Sequence, residues 1–222
     1  MERLTGTKDP LIIAHRGASS EAPENSLASY RLAWEQKADA IEIDLRKTKD
    51  EIFICAHDNN FNRVSNSKKN ISETTYKTLS EIDIGSWKSK KFKDQRAPKL
   101  EEVLSNMPKG KMMYIEVKGV LKKVEDLIAL IECSKVNKNQ IHFLCYLPSM
   151  IKKLKKKFPS YNATLNLIPS LFNYDLKKIK NEISRSQSDG ISVHIDSKQS
   201  IKLVKNLKED NIFILTLSLI HI

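Results

Sequence analysis

Short apolar runs alternate with longer amphipathic stretches along the 222-residue chain. The apolar runs, rich in β-branched residues, fall at 11–15, 40–45, 52–57, 112–117, 141–146, 163–167, 191–195 and 212–217. Helical spacing predicts helices at about 24–37, 98–107, 120–133, 149–158, 175–186 and 198–208. In the first of these Leu27, Tyr30, Leu32, Ala33 and Trp34 fall near helical spacing. Strands alternating with helices of about ten to fifteen residues predict a parallel sheet of βα units, and eight strands make a closed (β/α)8 barrel. The expected fold is an α/β TIM barrel, occupying 1–222 as a single domain. No internal repeat stands out.

Residues 59–111 break this rhythm. The segment is polar, with Trp87 and Phe92 as isolated anchors and one clear helix carrying Leu100, Val103 and Leu104 on one face. So long a stretch with so little periodicity inside a domain is commonly functional. It reads as an insertion after the third strand that caps the barrel mouth.

Composition narrows the class. Hydrophobic residues make up 40% and charged residues 29%, with only 6 Gly and 7 Pro, which excludes disordered, collagenous and low-complexity chains. No run approaches the roughly 18 apolar residues of a membrane span. The segment from Met1 to Pro10 lacks the apolar core of a secretory signal. Cys55, Cys133 and Cys145 are odd in number and embedded in apolar runs, so they read as reduced core residues of a cytoplasmic protein.

The net charge of +11 first suggests a nucleic-acid partner. The bases, however, are 31 Lys and only 7 Arg, spread along the chain and densest at 152–157. Specific grips on bases and phosphates favour the arginine fork. A solvated basic surface that attracts anionic substrates is the better reading, with no specific nucleic acid as partner.

The chemistry gathers at strand ends, where the active site of a (β/α)8 barrel lies. The first strand ends in His15-Arg16-Gly17, the second carries Glu42 and Asp44, and the fourth ends in Glu116-Val117-Lys118. Glu42 and Asp44 are two apart and share one face of their strand, while Ile41, Ile43 and Leu45 take the other. Taken alone, such carboxylates are equally those of a solvated edge strand. Facing a barrel axis, they are tolerable mainly with a cation between them. Oxygen ligands suit Mg²⁺ or Ca²⁺, and Glu116 would be a third ligand.

Thr48-Lys49-Asp50-Glu51 is a turn signal midway between Asp44 and His57. A hairpin there puts His57 nearly opposite Asp44; a parallel barrel strand carries it to the same rim. Both alternatives place His57 beside the carboxylates. Two imidazoles, His15 and His57, two cations, Arg16 and Lys118, and a metal are the parts needed to displace an alkoxide from phosphorus. His142, His194 and His221 lack such company, although His194 lies in an alternating run that can face the barrel interior.

The order His15-Arg16-Gly17, Pro23-Glu24-Asn25-Ser26, Glu42-Ile43-Asp44, Thr48-Lys49-Asp50, His57-Asp58 with Arg63, Ala97-Pro98-Lys99-Leu100-Glu101 and Glu116-Val117-Lys118 resembles the glycerophosphodiester phosphodiesterases. The likeness covers about 110 residues closely and continues more weakly to the C-terminus, with Cys145-Tyr146 where the family usually has serine-phenylalanine. It implies a TIM barrel of the phospholipase C-like phosphodiesterase type that cleaves glycerophosphodiesters to glycerol 3-phosphate and an alcohol. In that scheme Glu42, Asp44 and Glu116 hold a divalent metal. His15 and His57 act as base and acid, and Arg16 and Lys118 hold the phosphate.

Ser26 stands for the family's threonine, Phe61 for leucine, and Val64-Ser65 for a threonine pair. Leu215-Thr216-Leu217-Ser218 stands where the family usually has tryptophan-threonine-valine-asparagine, so an aromatic platform is replaced by leucine. Only Leu219-Ile220-His221-Ile222 follows, where a complete barrel adds a helix; this suggests a shortened chain or self-association over the uncovered last strand. Other readings are a weakly active or inactive barrel serving as a binding module, a lysophospholipase D-type activity on the same site, and a lysine-driven binder of nucleic acid or anionic membranes.

Overall fold

The computed structural model describes residues 10–210 and 212–218; the first nine residues, residue 211 and the last four, His221 among them, lie outside them. Seven parallel strands form the frame: β1 (Ile13–His15), β2 (Ala40–Lys47), β4 (Met112–Val117), β5 (Ile141–Cys145), β6 (Asn162–Leu167), β7 (Gly190–Ile195) and β8 (Phe213–Ser218), neighbours in that order. Their helices are α1 (Leu27–Glu35), α5 (Val124–Cys133), α6 (Pro148–Lys157), α7 (Leu176–Ser186) and α8 (Lys198–Glu209).

The eight-stranded expectation needs correction at its third member. β3 (Phe53–Cys55) is the return arm of a hairpin, antiparallel to β2 with Leu45 opposite Cys55 and Lys47 opposite Phe53. The turn at Thr48 closes it: the Thr48 N–H donates to the Ile52 carbonyl at 2.9 Å, and Glu51 takes a positive φ of 66°. A three-residue strand on a tight turn has no room for the crossover that a parallel neighbour requires.

Period-two alternation makes two layers of each strand. On β2, Ile41, Ile43 and Leu45 pack outward into the main core with Leu127, Ile128 and Ile131 of α5. Ala40 turns inward, where it clusters with Tyr114 and Leu144. β1 and β8 line one cavity together, so the sheet curls end toward end. Among the described residues, neither strand's outer edge pairs with another strand.

Residues 59–111 hold α2 (Asn62–Ser65), α3 (Tyr76–Leu79) and α4 (Leu100–Ser105). A small core unites Phe61, Val64, Ile71, Leu79, Ile84 and Ala97 with Ile54 of the hairpin. The expected anchors are peripheral: Trp87 is 44% exposed and Phe92 half-buried.

Two expectations about the surface also change. Cys133 is exposed, while Cys55 and Cys145 are buried, and all three are free thiols. The lysine run on α6 is partly tied down: Lys155 pairs with Asp189 at 2.8 Å, and Lys153 donates to the Leu121 carbonyl at 2.9 Å.

Candidate active site

The turn after β1 is fixed by backbone conformation. Arg16 and Gly17 both take positive φ, 59° and 79°, and a Cβ on Gly17 would come within 2.5 Å of the Ser29 Oγ on α1. Only glycine fits there. The Arg16 N–H then donates to Glu42 Oε2 at 3.0 Å, joining the turn to β2. Ser26 caps α1, its Oγ accepting from the Ser29 N–H at 3.1 Å, so serine fills the threonine's role at the helix start.

Glu42, Asp44 and Glu116 are all buried, and one oxygen of each lies within 4.8 Å of the others. Burial, followed by Asp44 and Glu116, pushes the Glu42 carboxyl well above its usual range. Glu116 is raised, chiefly by burial. Burial would raise Asp44 too, but Lys118, Arg16 and Asn25 bring it below the usual carboxylate range. Lys118 Nζ lies 2.9 Å from Asp44 Oδ1 and also contacts Glu116, while Arg16 Nε lies 3.2 Å from Asp44 Oδ2. Glu42 Oε1 has no hydrogen-bond partner among the described residues. Three buried oxygen donors of like charge, one of them unpartnered, fit a divalent cation.

His15 belongs to the same cluster, with Nε2 3.8 Å from Glu42 Oε2. Burial, then the charge of Arg16, lowers its pKa to about 4, so it is neutral at physiological pH. His57 adjoins the cluster, one residue beyond Ala56, whose N–H donates to the Asp44 carbonyl at 2.9 Å, and its charge is felt by His15 and Glu116. Its Nδ1 meets Asp58 Oδ1 at 2.9 Å, and Arg46 donates to its carbonyl at 2.6 and 3.0 Å. A chain of ion pairs joins it to the cluster: Asp58 to Arg63 at 2.8 Å, Arg63 to Glu24 at 2.7 Å, and Glu24 to Arg16 at 3.0 Å.

A model of the glycerophosphoryl diester phosphodiesterase family matches residues 15–216, which contain this whole cluster. The chain belongs to this family. The glycerophosphodiester phosphodiesterase of Bacillus subtilis is 37% identical over 117 residues, 49% of this chain and 40% of that protein. That of Caldanaerobacter subterraneus is 31% identical over 172 residues, 77% of this chain and 61% of the relative. The chain thus spans about half the length of these curated relatives. Among solved structures, an Oleispira antarctica phosphodiesterase in complex with the product sn-glycerol-3-phosphate superposes with a TM-score of 0.80. It is 24% identical, and the match covers 94% of this chain and 84% of that one. A glycerophosphodiester phosphodiesterase from Agrobacterium tumefaciens has a TM-score of 0.75 at 21% identity, covering 94% and 86%. These two likenesses establish a TIM-like α/β barrel fold.

Within this glycerophosphodiester phosphodiesterase framework, six of the seven expected site residues form one contact cluster, and His57 adjoins it through the relay. The sequence motifs include the residues that hold them but assign those residues no role. Asn25 is the clearest: its Nδ2 donates to Asp44 Oδ2 at 2.7 Å, while its Oδ1 accepts from the Asp44 N–H at 3.1 Å and the Tyr30 hydroxyl at 3.0 Å. Asn25 has a positive φ of 52°, which asparagine tolerates better than most residues. An asparagine just before the helix cap was the available signal. His142 is structural: buried, it stacks on Tyr114 and Phe213 at 4.9 and 5.5 Å, bonds Thr164 Oγ1, and burial lowers its pKa to about 3. His194 is half-buried, with Nε2 unpartnered among the described residues.

Proposed function

We propose that this chain hydrolyses glycerophosphodiesters to glycerol 3-phosphate and an alcohol, with Glu42, Asp44 and Glu116 holding Mg²⁺ or Ca²⁺. The observation that carries the reading is the convergence of these three buried carboxylates within 4.8 Å, beside a neutral histidine and two cations. Such a metal supplies Lewis-acid polarisation of a phosphoryl oxygen.

His15, held neutral, accepts the proton of the glycerol 2-hydroxyl as its oxygen attacks phosphorus. The bond from phosphorus to the alcohol oxygen breaks, and His57 donates a proton to the departing alkoxide. Asp58 takes Nδ1 of His57, which leaves Nε2 for that transfer. The cyclic phosphate is then opened by water with the two histidines in reversed roles. Arg16 and Lys118, both against Asp44, concentrate positive charge where the phosphate is drawn in.

The same proposal treats 1–222 as a single phosphodiesterase-like domain, with 59–111 as an insertion capping the barrel mouth. The Arg63–Glu24 ion pair and the bond from Lys88 to the Ser19 carbonyl support that placement. Among the described residues the outer edges of β1 and β8 have no strand partner, which supports self-association over the last strand. Cytoplasmic residence rests on the free thiols; no helix among the described residues is long and apolar enough to cross a membrane.

The test is turnover of glycerophosphocholine by the purified chain with EDTA, Mg²⁺ or Ca²⁺. Metal-dependent release of glycerol 3-phosphate, abolished in His57→Ala without loss of fold, is expected. Full activity in that variant removes His57 from the mechanism, and no turnover with either metal leaves a binding module instead.

A further inference from the structure

On the far side of the barrel interior from the carboxylates, two buried polar side chains have nothing to bond. Asn166 is 3% exposed, and both its amide nitrogen and its oxygen lack partners among the described residues; Ser192 Oγ, on a residue 2% exposed, is in the same state. The register sets them side by side, Asn166 of β6 opposite Ser192 of β7. It also places them on the sheet's inner face. Glu116 pairs with Leu144, Leu144 with Thr164, and Asn166 is two residues beyond Thr164.

The space in front of Ser192 is continuous with the candidate active site. A cavity of about 310 Å³ is lined by His15, Glu42 and Ser192; Asn166 adjoins it as the register partner of Ser192 and is not one of its lining residues. That volume has room for on the order of ten waters. An unmade hydrogen bond in a buried site is costly enough that native structures rarely keep one without a ligand or water to fill it. Both groups are uncharged and can donate as well as accept, which matches a hydroxyl and not an anion or a quaternary ammonium.

We propose that Asn166 and Ser192 form a hydroxyl-recognising subsite that binds the terminal, non-phosphorylated hydroxyl of the glycerol moiety. This rests on the phosphodiesterase reading above, and makes the pair specificity-determining residues of that same site. With the phosphate near Arg16 and Lys118, the glycerol lies across the cavity and its free end reaches the β6–β7 wall. The Asn166 oxygen accepts the hydroxyl proton, and its amide or the Ser192 hydroxyl donates to the hydroxyl oxygen. A lysophospholipid acylated at that oxygen has no proton to give, so the subsite selects deacylated glycerophosphodiesters.

The test compares two ligands by calorimetry on the full chain with Mg²⁺ present: glycerol 3-phosphate, and propane-1,2-diol 1-phosphate, which lacks only the terminal hydroxyl. The parent chain is expected to prefer glycerol 3-phosphate by about tenfold, the scale of one buried hydrogen bond. Asn166→Ala and Ser192→Ala should each bring the two affinities closer, and the double variant should equalise them, with propanediol phosphate bound as before. Circular dichroism identifies any variant that fails to fold, and the preference is then read in the other. A preference that survives in folded variants, or is missing from the parent chain, overturns the subsite while leaving the phosphodiesterase reading intact. Failure of the parent chain to bind either ligand overturns that reading and this inference with it.

Discussion

Replacing Glu42 by glutamine should stabilise the metal-free protein and remove most of its response to metal. Glu42 keeps the same shape as glutamine, and a glutamine oxygen can still accept from the Arg16 N–H now bonded at 3.0 Å. What disappears is a buried negative charge whose oxygen lies within 4.8 Å of those of Asp44 and Glu116. At that separation and an effective dielectric constant near 20, each like-charged neighbour costs about 3.5 kcal/mol. Lys118 and Arg16 return part of this, and protonation of Glu42 relieves more, so a net gain of about 1–3 kcal/mol is expected in EDTA. For a chain of this size that is a rise in Tm of about 3–10 °C. The sign with pH follows from the raised carboxyl. The folded state holds a proton that the unfolded state has released, so wild-type stability falls as pH rises above 4.5, the ordinary value for Glu. The advantage of Glu42→Gln should therefore widen from pH 5 to pH 8. Added Mg²⁺ or Ca²⁺ should cancel or reverse that lead, because metal at about 100 times its dissociation constant adds about 2.7 kcal/mol to a chain that binds it. Thermal melts of both proteins, with EDTA and with metal, give all four values. A variant less stable than wild type in EDTA, with an undiminished metal shift, would refute the claim that Glu42 is a strained ligand.

Gly17→Ala should destabilise the fold by about 2–4 kcal/mol in urea unfolding, since φ is +79° and the added Cβ meets Ser29; an unchanged midpoint contradicts the tight turn. Asp58→Asn should lower kcat by roughly 10- to 100-fold with KM little changed, because His57 loses the carboxylate at Nδ1; equal effects on both constants would point to substrate binding instead. His142 has its pKa lowered to about 3 from 6.5, so the unfolded chain takes up a proton there that the folded chain refuses. Stability is lost as pH falls below 6.5, and between pH 6.5 and 5 wild type should lose about 2 kcal/mol relative to His142→Phe. Parallel acid limbs for the two proteins would contradict this.

The parts of the site that were legible in the sequence are those set by strand period. Glu42 and Asp44 share a face because they are two apart, and Glu116 joins them because β4 pairs with β2 in register, Asp44 opposite Glu116. The helices were found to within a few residues because their caps and spacing are local. The third strand was not decided, since a hairpin arm and a barrel strand both read as a short apolar run. Only pairing with Leu45 and Lys47 separates them. Asn25 and Glu24 stand in one of the family-like motifs but receive no role there, because their partners lie 19 and 39 residues away. Their role depends on how a loop and an insertion meet, and no periodicity records that. Cys133 lies within an apolar run but emerges at the exposed end of α5.

The seven proposed catalytic, phosphate-binding and metal-holding residues lie between His15 and Lys118, on or just after β1, β2, β3 and β4, all joined through β2. Asn25, Asp58 and Arg63, which hold them, fall in the same interval. A chain synthesised from its N-terminus therefore carries the full set of carboxylates, cations and imidazoles out of the ribosome before β5 to β8 exist. At that stage the three carboxylates repel one another without the inner wall that buries them. With the metal site as proposed, divalent metal in the surrounding solution would act as a folding ligand before a catalytic one. Refolding rate should depend on metal most strongly when the first half of the chain is structured and the second is not.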